Sequence, residues 1–327
     1  MLEHGGQLRA AAARYGIPPE QWLDLSTGIN PVPFVPPPVP LDAWARLPQE
    51  RDGLEEAAAA YYGTFDLLPL AGSQAAIQAL PRMRAHATVG VLHPGYAEHA
   101  HAWRSAGHAV AELAAHDIEA QLDRLDVLVL MQPNNPTGNV FTHEQLRDWH
   151  VRLAARGGWL VVDEAFIDAT PRESFVTPQM PPGLIVLRSL GKFFGLAGAR
   201  VGFALAHAGL LEALRDLLGP WSVAGPARFV AQAALLDRTW QVETRARLSQ
   251  DGARLAQLLR DSGLPPDGGC ALFQRVLADE AEVLHRQLAQ RGILTRLFAQ
   301  PRSLRFGLPA SEAGWNRLSE ALKDCAA

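Results

Sequence analysis

The chain has 327 residues, of which 48% are hydrophobic, and a formal net charge of −4 at pH 7. A chain of this length can bury a large core and divide into two domains. Its 30 basic and 34 acidic residues form no long run of one sign, so the charge pattern predicts no nucleic-acid or anionic-membrane partner.

Two further features bear on location and metal binding. The sequence Met1-Leu-Glu-His-Gly-Gly6 lacks the regions of a signal peptide, and no stretch approaches the roughly eighteen uninterrupted apolar residues of a membrane helix. The two cysteines, Cys270 and Cys325, are too few for a disulfide framework and lack the paired spacing of a zinc site. These features predict a cytoplasmic protein without a bound metal.

Residues 1–40 are predicted to form an N-terminal arm. Its end, Pro31-Val-Pro-Phe-Val-Pro-Pro-Pro-Val-Pro40, contains too many prolines for a helix or a central strand. We therefore expect this segment to run extended over a surface.

A large domain is predicted over residues 41–210, where short apolar runs alternate with amphipathic helical stretches. The strand candidates are residues 89–92, 127–131, 160–162 and 185–187, and the helix candidates are 54–62, 74–84, 97–106 and 142–156. This alternation indicates an α/β fold with a mostly parallel sheet flanked by helices.

A smaller α+β domain is predicted over residues 211–327. Helical patterns extend from residue 211 to about residue 261, and a last helical pattern lies at the C-terminal end of the sequence. Between them lie strand-like segments at 271–277, 293–298 and 304–308 and a helix at 279–291.

Lysine is rare in this chain, because 28 of the 30 basic residues are arginine and the remaining two are Lys192 and Lys323. An amine can lose its proton and condense with a carbonyl group, whereas a guanidinium cannot. Lys192 is therefore a candidate for covalent chemistry. Lys323 lies in the polar C-terminal helix and is predicted to be a solvated surface charge.

Polar motifs follow three of the strand candidates, at the strand ends where open α/β sheets bind ligands. In chain order they are Pro133-Asn-Asn-Pro-Thr-Gly138, Asp163-Glu-Ala-Phe166, and Ser189-Leu-Gly-Lys192 followed by Gly198-Ala-Arg-Val-Gly-Phe203. Each motif alone is a weak signal, because Asn-Pro-Thr-Gly can form a turn and an aspartate after a strand can cap a helix. Together, and in this order, they resemble the class I/II aminotransferase family of fold-type I pyridoxal 5′-phosphate enzymes.

The resemblance implies a pyridoxal 5′-phosphate cofactor that Lys192 holds as a Schiff base. Lys192 would then move a proton near the α-carbon of an amino acid, a role that needs a deprotonated amine. Asp163 would be the buried carboxylate that keeps the pyridine nitrogen protonated. Asn135 matches the asparagine that binds the phenolic oxygen of the cofactor ring.

The cofactor phosphate needs donors that surround a dianion. The candidates are Gly72-Ser73-Gln74 at the start of a helix, Ser189 and Arg200. Tyr96 is expected to stack on the cofactor ring; His99 is the alternative, and Tyr96 could also be a core aromatic.

The resemblance also assigns residues to the substrate. Arg305 matches the arginine that binds the substrate carboxylate through two hydrogen bonds, although a surface ion pair would also explain it. His4 and Asn30 lie in the arm, which is expected to fold over the substrate. His4 and Arg296 are candidates for binding a substrate phosphate, and the alternative for His4 is a mobile terminal residue.

Two positions depart from the aminotransferase pattern. Phe166 stands where histidinol-phosphate aminotransferases usually have a tyrosine that donates to the ring oxygen. Leu47 stands where relatives often have a tyrosine that reaches the cofactor phosphate of a neighbouring subunit. Neither position has a hydroxyl group for these contacts, and the family resemblance still implies a homodimer.

Four segments resemble the threonine-phosphate decarboxylases of cobalamin biosynthesis. They are His4-Gly-Gly6, Asp24-Leu-Ser-Thr-Gly-Ile-Asn-Pro31, Pro94-Gly-Tyr-Ala-Glu98 and Asp163-Glu-Ala-Phe-Ile-Asp168. This resemblance implies decarboxylation of L-threonine O-3-phosphate, a small phosphorylated amino acid, to (R)-1-amino-2-propanol O-2-phosphate. The alternative is a histidinol-phosphate aminotransferase or a related aminotransferase, because the two groups share a fold.

Two other classes of function fit the sequence less well. A DNA-binding regulator of this fold would carry a helix-turn-helix region or a basic patch, and the sequence shows neither. A metal hydrolase could use His93, His99 and His101, but no carboxylate pattern accompanies these histidines.

Overall fold

The computed structural model describes residues 4–326. The strands are β1 (Leu23–Asp24), β2 (Leu67–Leu70), β3 (Thr88–Leu92), β4 (Ala109–Leu113), β5 (Val127–Met131), β6 (Trp159–Asp163), β7 (Leu184–Ser189), β8 (Gly202–Ala206), β9 (Gly268–Cys270), β10 (Phe273–Leu277), β11 (Ile293–Leu294), β12 (Arg296–Ala299) and β13 (Arg302–Gly307). The α-helices are α1 (Leu8–Tyr15), α2 (Leu41–Ala45), α3 (Leu54–Tyr62), α4 (Ser73–Ala79), α5 (Ala97–Ser105), α6 (Ile118–Gln121), α7 (His143–Ala154), α8 (Ala208–Leu218), α9 (Gly225–Leu236), α10 (Arg238–Asp261), α11 (Ala281–Gln290) and α12 (Glu312–Ala326). Over residues 4–326, no helix combines the length and apolarity needed to cross a membrane.

The chain forms two compact units. The first comprises Met1–Val32, Asn135–Asn139 and Thr244–Ala327, and the second comprises Pro33–Asn134 and Val140–Glu243. The predicted boundaries at residues 40 and 210 do not coincide with the limits of these units, so the division into an arm, a large domain and a small domain stays a prediction.

The second unit is built on a seven-stranded sheet in the order β2-β8-β7-β6-β5-β3-β4. The five strands from β7 to β4 are parallel to one another, and β8 is antiparallel to both of its neighbours. All four strand candidates lie in this parallel part. The prediction of an α/β fold with a mostly parallel sheet is therefore confirmed.

Both faces of the central strands are buried, which explains why their sequences are continuous apolar runs. On one face Val127, Val129 and Val161 form a hydrophobic cluster with residues of α4, α5 and α8. Leu128 and Leu130, which alternate with the β5 valines, are as fully buried on the other face. This covered sheet holds the carboxyl ends of β6 and β7 in fixed positions.

The first unit contains a four-stranded antiparallel sheet in the order β12-β13-β10-β9 and a short parallel pair of β1 with β11. The N-terminal residues are part of this unit, because Ala11, Ala12 and Trp22 pack with Ala289 and Leu294. With α11 and α12, this sheet forms the predicted α+β arrangement.

Candidate active site

Lys192 lies in a tight turn just beyond β7, in the second unit. The Ser189 hydroxyl accepts a hydrogen bond from the Gly191 N–H at 3.2 Å, and the Lys192 carbonyl accepts one from the Gly195 N–H at 3.2 Å. The Lys192 side chain is half-buried, and its Nζ lies 5.4 Å from the centre of the Phe166 ring. The amine is thus set against an apolar wall at a strand end.

Asp163 is the last residue of β6, and its carboxylate is buried. Its Oδ1 accepts a hydrogen bond from the Ala165 N–H at 3.0 Å, and its Oδ2 lies 2.9 Å from Nε2 of His99. His99, on α5, is also buried. A buried carboxylate with a partner on each oxygen has a fixed orientation. His99, the alternative stacking residue, therefore contacts the carboxylate.

Tyr96 lies next to these residues, immediately before α5. Its ring is 6.0 Å from the His99 ring, nearly perpendicular to it, and its hydroxyl donates to Oε1 of Gln74 at 3.3 Å. Gln74 in turn donates to Glu98 at 2.9 Å. Burial, with smaller contributions from Glu98 and Asp163, raises the pKa of Tyr96 to about 12. Tyr96 therefore keeps its proton at neutral pH.

Arg200 lies against the start of α4. Nη2 of Arg200 lies within 2.6 Å of the place that a Cβ atom on Gly72 would take, and Gly72 has a φ of +76°, which favours glycine. A Cβ atom on Gly202 would come within 2.5 Å of the Ser73 nitrogen. The structure thus brings together Gly72, Ser73 and Arg200, three of the residues predicted to hold a phosphate.

Arg305, on β13 of the first unit, is a buried cation with neutral partners. It donates to the side-chain oxygen of Asn135, and its Nη2 donates to the Ser26 carbonyl at 2.8 Å. Within residues 4–326, no carboxylate forms an ion pair with it. Burial, and then the positive charge of Arg296, lower the pKa of Arg305 to about 10. An anion bound here would stabilise its charged form.

Three arginines lie side by side across this antiparallel sheet. Arg305 pairs with Arg275 of β10 on one side and with Arg296 of β12 on the other. Arg275 is matched by Asp267, whose Oδ1 accepts from Nε at 3.1 Å. The row therefore carries more positive than negative charge, as a site for anions requires.

Arg296 also lines a cavity of about 220 Å³ in the first unit. The other polar residues around this cavity include His4, Arg14, Ser26 and His285. Nothing in the sequence distinguished Arg14 or His285, because both lie on helices with ordinary amphipathic patterns. His4 and Arg296, the two phosphate candidates, thus share one basic cavity.

The side chain of Asn30 is held by bonds within the first unit. It is buried, and its side-chain oxygen accepts from the Val32 N–H and from Arg247, both at 3.0 Å. Asn30 is not among the described residues that line the basic cavity. A larger cavity of about 980 Å³, in the second unit, includes Phe65 and Trp221 in its wall and none of the predicted site residues.

Two of the three histidines considered for a metal have separate partners. His93 contacts Glu112 at 2.7 Å, and His99 contacts Asp163. Over the described part of the chain, no group of three or more His, Cys, Asp or Glu residues is placed to hold a metal ion.

The chain is similar in sequence to a known family and to several known proteins. The profile of the family described as aminotransferase class I and II matches residues 47–322. A threonine-phosphate decarboxylase of Pseudomonas aeruginosa is 62% identical over 322 residues, which are 98% of this chain and 97% of that relative. A threonine-phosphate decarboxylase of Sinorhizobium is 43% identical over 98% of this chain and 97% of its own length.

A solved structure has a similar fold. Histidinol-phosphate aminotransferase of Sinorhizobium meliloti, in complex with pyridoxal-5′-phosphate, superposes with a TM-score of 0.82. The match covers 99% of this chain and 95% of that chain at 23% identity, so it shows the fold alone. It confirms the fold-type I architecture predicted from the sequence.

Proposed function

The chain belongs to the aminotransferase class I and II family, and from this premise we propose that it is a pyridoxal 5′-phosphate-dependent threonine-phosphate decarboxylase. It converts L-threonine O-3-phosphate to (R)-1-amino-2-propanol O-2-phosphate in cobalamin biosynthesis. The observation that carries this proposal is the 62% identity to the Pseudomonas aeruginosa decarboxylase over nearly the full length of both chains. The cytoplasmic location predicted from the sequence is part of the same proposal.

The residues of the second unit fit the proposed cofactor. Lys192 offers an amine, Asp163 a buried carboxylate for a ring nitrogen, and Arg200, which lies against Gly72, a cation for a phosphate. Ser73, Gln74 and Ser189 add hydroxyl and amide groups nearby. When bound, pyridoxal 5′-phosphate withdraws electrons from the substrate α-carbon.

Lys192 has two roles in this proposal. Its amine holds the cofactor covalently, and after release of the carboxylate as carbon dioxide it delivers a proton to the α-carbon, which the product requires. The centre of the Phe166 ring lies 5.4 Å from Nζ, so the ring forms one wall beside the amine.

The other proposed cofactor contacts follow from their hydrogen bonds. Asp163 faces the ring nitrogen, with His99 and the Ala165 N–H holding its oxygens. Tyr96 stacks on the ring. The Asn135 oxygen accepts from Arg305, so its amide N–H groups serve as the donors to the phenolic oxygen.

The first unit supplies the proposed substrate contacts. Threonine phosphate carries a carboxylate and a phosphate, and the arginine row offers two cations on adjacent strands, Arg305 and Arg296. We assign Arg305 to the carboxylate and Arg296, with His4, to the phosphate. Asn30, whose side-chain oxygen accepts from Arg247, is also assigned to the substrate.

The alternative, a histidinol-phosphate aminotransferase, is supported at the level of the fold. One experiment separates the two reactions. The purified chain, loaded with pyridoxal 5′-phosphate, is incubated with threonine phosphate, and in parallel with histidinol phosphate and 2-oxoglutarate, and products are identified by mass spectrometry. Carbon dioxide release from threonine phosphate is expected. Amino transfer from histidinol phosphate without that release would contradict the proposal.

We also propose that the chain works as a homodimer. The second unit exposes several large apolar side chains: Trp44 is 67% exposed, Leu47 64%, Phe65 80% and Trp221 59%. Phe65 and Trp221 line the same cavity, and exposed apolar side chains that lie together mark protein interfaces. A second copy of the chain is the partner that family membership favours.

A further inference from the structure

Behind the ends of β6 and β7, the second unit buries three charged side chains that have no part in the proposed chemistry. Arg188 is 3% exposed, and Glu164 and Asp168 are 0% exposed. Nη1 of Arg188 donates to Oε2 of Glu164 at 3.1 Å, and its Nη2 donates to Oδ1 of Asp168. We refer to these three residues as the Arg188 cluster.

The cluster is held in place by neighbouring groups. Glu164 accepts from the Ser174 hydroxyl at 2.7 Å and from the Phe175 N–H at 2.6 Å. Asp168 accepts from the Tyr61 hydroxyl at 3.0 Å, and the Arg188 guanidinium lies 4.5 Å from the centre of the Tyr62 ring. Burial of three charges carries a desolvation penalty, which these hydrogen bonds and the attraction between the opposite charges offset.

The guanidinium remains charged in this setting. Burial alone lowers the pKa of Arg188, but the carboxylates of Asp168 and Glu164 outweigh burial and raise it. Burial also raises the pKa of Glu164, against the opposing effect of Arg188. The two nitrogens of one rigid, planar cation therefore hold two acidic side chains at a fixed spacing.

Those two acidic residues stand at the ends of one short segment, residues 164–168. Within it, the Ala165 N–H donates to Oδ1 of Asp163, and the Phe166 ring lies beside Nζ of Lys192. Arg188 lies on β7, four positions before Lys192, and the Glu164 N–H donates to the Leu187 carbonyl at 2.8 Å. The segment is thus tied to the same strand that presents the lysine.

We propose that Arg188 is a positioning residue for both cofactor-binding groups. By binding both ends of residues 164–168, it sets the Ala165 N–H against the Asp163 carboxylate and the Phe166 ring against the Lys192 amine. The inference rests on the proposed function only for the roles of Asp163 and Lys192, and it does not depend on which reaction follows.

The test compares Arg188→Met with a matched control, Arg228→Met. Arg228 is also buried and also bridges two carboxylates, Asp52 and Glu55, but it joins α9 to α3. Asp168→Asn is a milder second variant, which keeps the shape of the cluster and removes one charge. All proteins are loaded with pyridoxal 5′-phosphate, and the visible absorption of the bound cofactor is titrated with pH.

In Arg188→Met and Asp168→Asn, we expect the midpoint of this titration to move by about one pH unit or more. We expect kcat to fall about tenfold or more while KM changes by less than about threefold, because the substrate contacts remain. Arg228→Met should lose thermal stability and keep the wild-type titration. If Asp168→Asn loses as much thermal stability as Arg228→Met and keeps the wild-type titration, the inference is overturned.

Different results would contradict the proposed roles of Lys192 and Asp163 and the positioning role of Arg188. If the wild-type chain shows no visible cofactor absorption, the roles of Lys192 and Asp163 are wrong and the inference falls with them. If the wild-type chain absorbs normally and Asp168→Asn matches it in titration and kcat, the Arg188 cluster is structural alone.

Discussion

Lys192 differs from every arginine of the chain in that its amine can bond covalently to a carbonyl carbon. We expect Lys192→Ala to lower kcat by about a thousandfold or more, because it removes both covalent attachment and proton transfer. Lys192→Arg should fail equally, since a guanidinium stays protonated. Borohydride reduction and peptide mass spectrometry measure the cofactor adduct.

Lys323 provides the matched control for this experiment. It is exposed on α12, and Lys323→Ala should retain both activity and the reduced adduct. Recovery of the adduct on Lys323 in the wild-type chain would refute the assignment of Lys192.

Arg305 carries a charge that its surroundings disfavour in the absence of an anion. Its pKa is lowered to about 10, first by burial and then by Arg296, so a substrate carboxylate should be bound strongly. We expect Arg305→Ala to lower kcat/KM for threonine phosphate about 100-fold or more, which is about 3 kcal/mol. Arg254→Ala, which removes an exposed ion pair with Glu312, should leave steady-state kinetics unchanged.

Arg296 is expected to bind the phosphate of the substrate, whereas Arg305 is expected to bind its carboxylate. Because it lines the basic cavity, Arg296→Gln should weaken inhibition by inorganic phosphate about 10- to 100-fold, the usual range for a lost charged hydrogen bond. Arg305→Ala should change phosphate inhibition much less. Equal effects of the two variants on inhibition constants would show that the anion contacts are not divided between them.

At the scale of elements, the segment Asn135–Asn139 packs unusually close to β9. A Cβ atom on Gly138 would lie 2.1 Å from the Gly269 carbonyl oxygen. Gly138 also has a φ of +75°, which a side chain disfavours. The backbones therefore meet here without side chains between them, which fixes Asn135 relative to the sheet of the first unit.

A comparison with Gly157 separates the cost of a positive φ from the cost of the close approach. Gly157 has a φ of +70°, with nothing within 4 Å of an added Cβ atom. We expect Gly157→Ala to lower the free energy of unfolding by about 1 kcal/mol, the cost of the backbone conformation. Gly138→Ala should cost at least about 2 kcal/mol more, because atoms must also move. Urea unfolding measures both, and equal losses would mean that the close approach relaxes freely.

The elements that could be predicted from the sequence are those with a strong physical pattern. The central strands were found because both faces are buried, so their residues are almost all apolar. Strand β4 was missed because it is an edge strand in which Ala109 and Glu112 are exposed. The predicted helix at 74–84 is shorter in the structure, where α4 ends at Ala79, since Pro81 cannot continue an α-helix.

The candidate site divides in the same way. Motifs next to strand ends predicted Lys192 and Asp163 as site residues, because the carboxyl ends of parallel strands lie at one edge of a sheet. The contact between His99 and Asp163 joins residues 64 positions apart, and no periodic pattern in the sequence predicts it. Arg188 was hidden for a different reason, since a single arginine near the end of an apolar strand gives no sign that two carboxylates surround it.

At the scale of the whole molecule, the exposed tryptophans lead to a test of assembly. We expect the chain to sediment at micromolar concentration with about twice its mass of 35.5 kDa. Trp221→Arg should raise the dimer dissociation constant about tenfold or more, about 1.4 kcal/mol, because a charge replaces an apolar contact.

Val151→Arg is the matched control for assembly, because Val151 on α7 is 58% exposed and Trp221 is 59% exposed. It should leave the sedimentation profile unchanged. A wild-type chain that is fully active and strictly monomeric would contradict the proposed dimer.

The pairing of β1 with β11 also has a consequence for synthesis on the ribosome. Arg305 binds the carbonyl of Ser26, 279 positions earlier in the chain, and Leu23 pairs with Ile293. At roughly 5–20 residues per second, the early segment leaves the ribosome on the order of tens of seconds before its partners exist. During that interval the sheet of the second unit can form first. The N-terminal segment is then unpaired and accessible to chaperones and proteases.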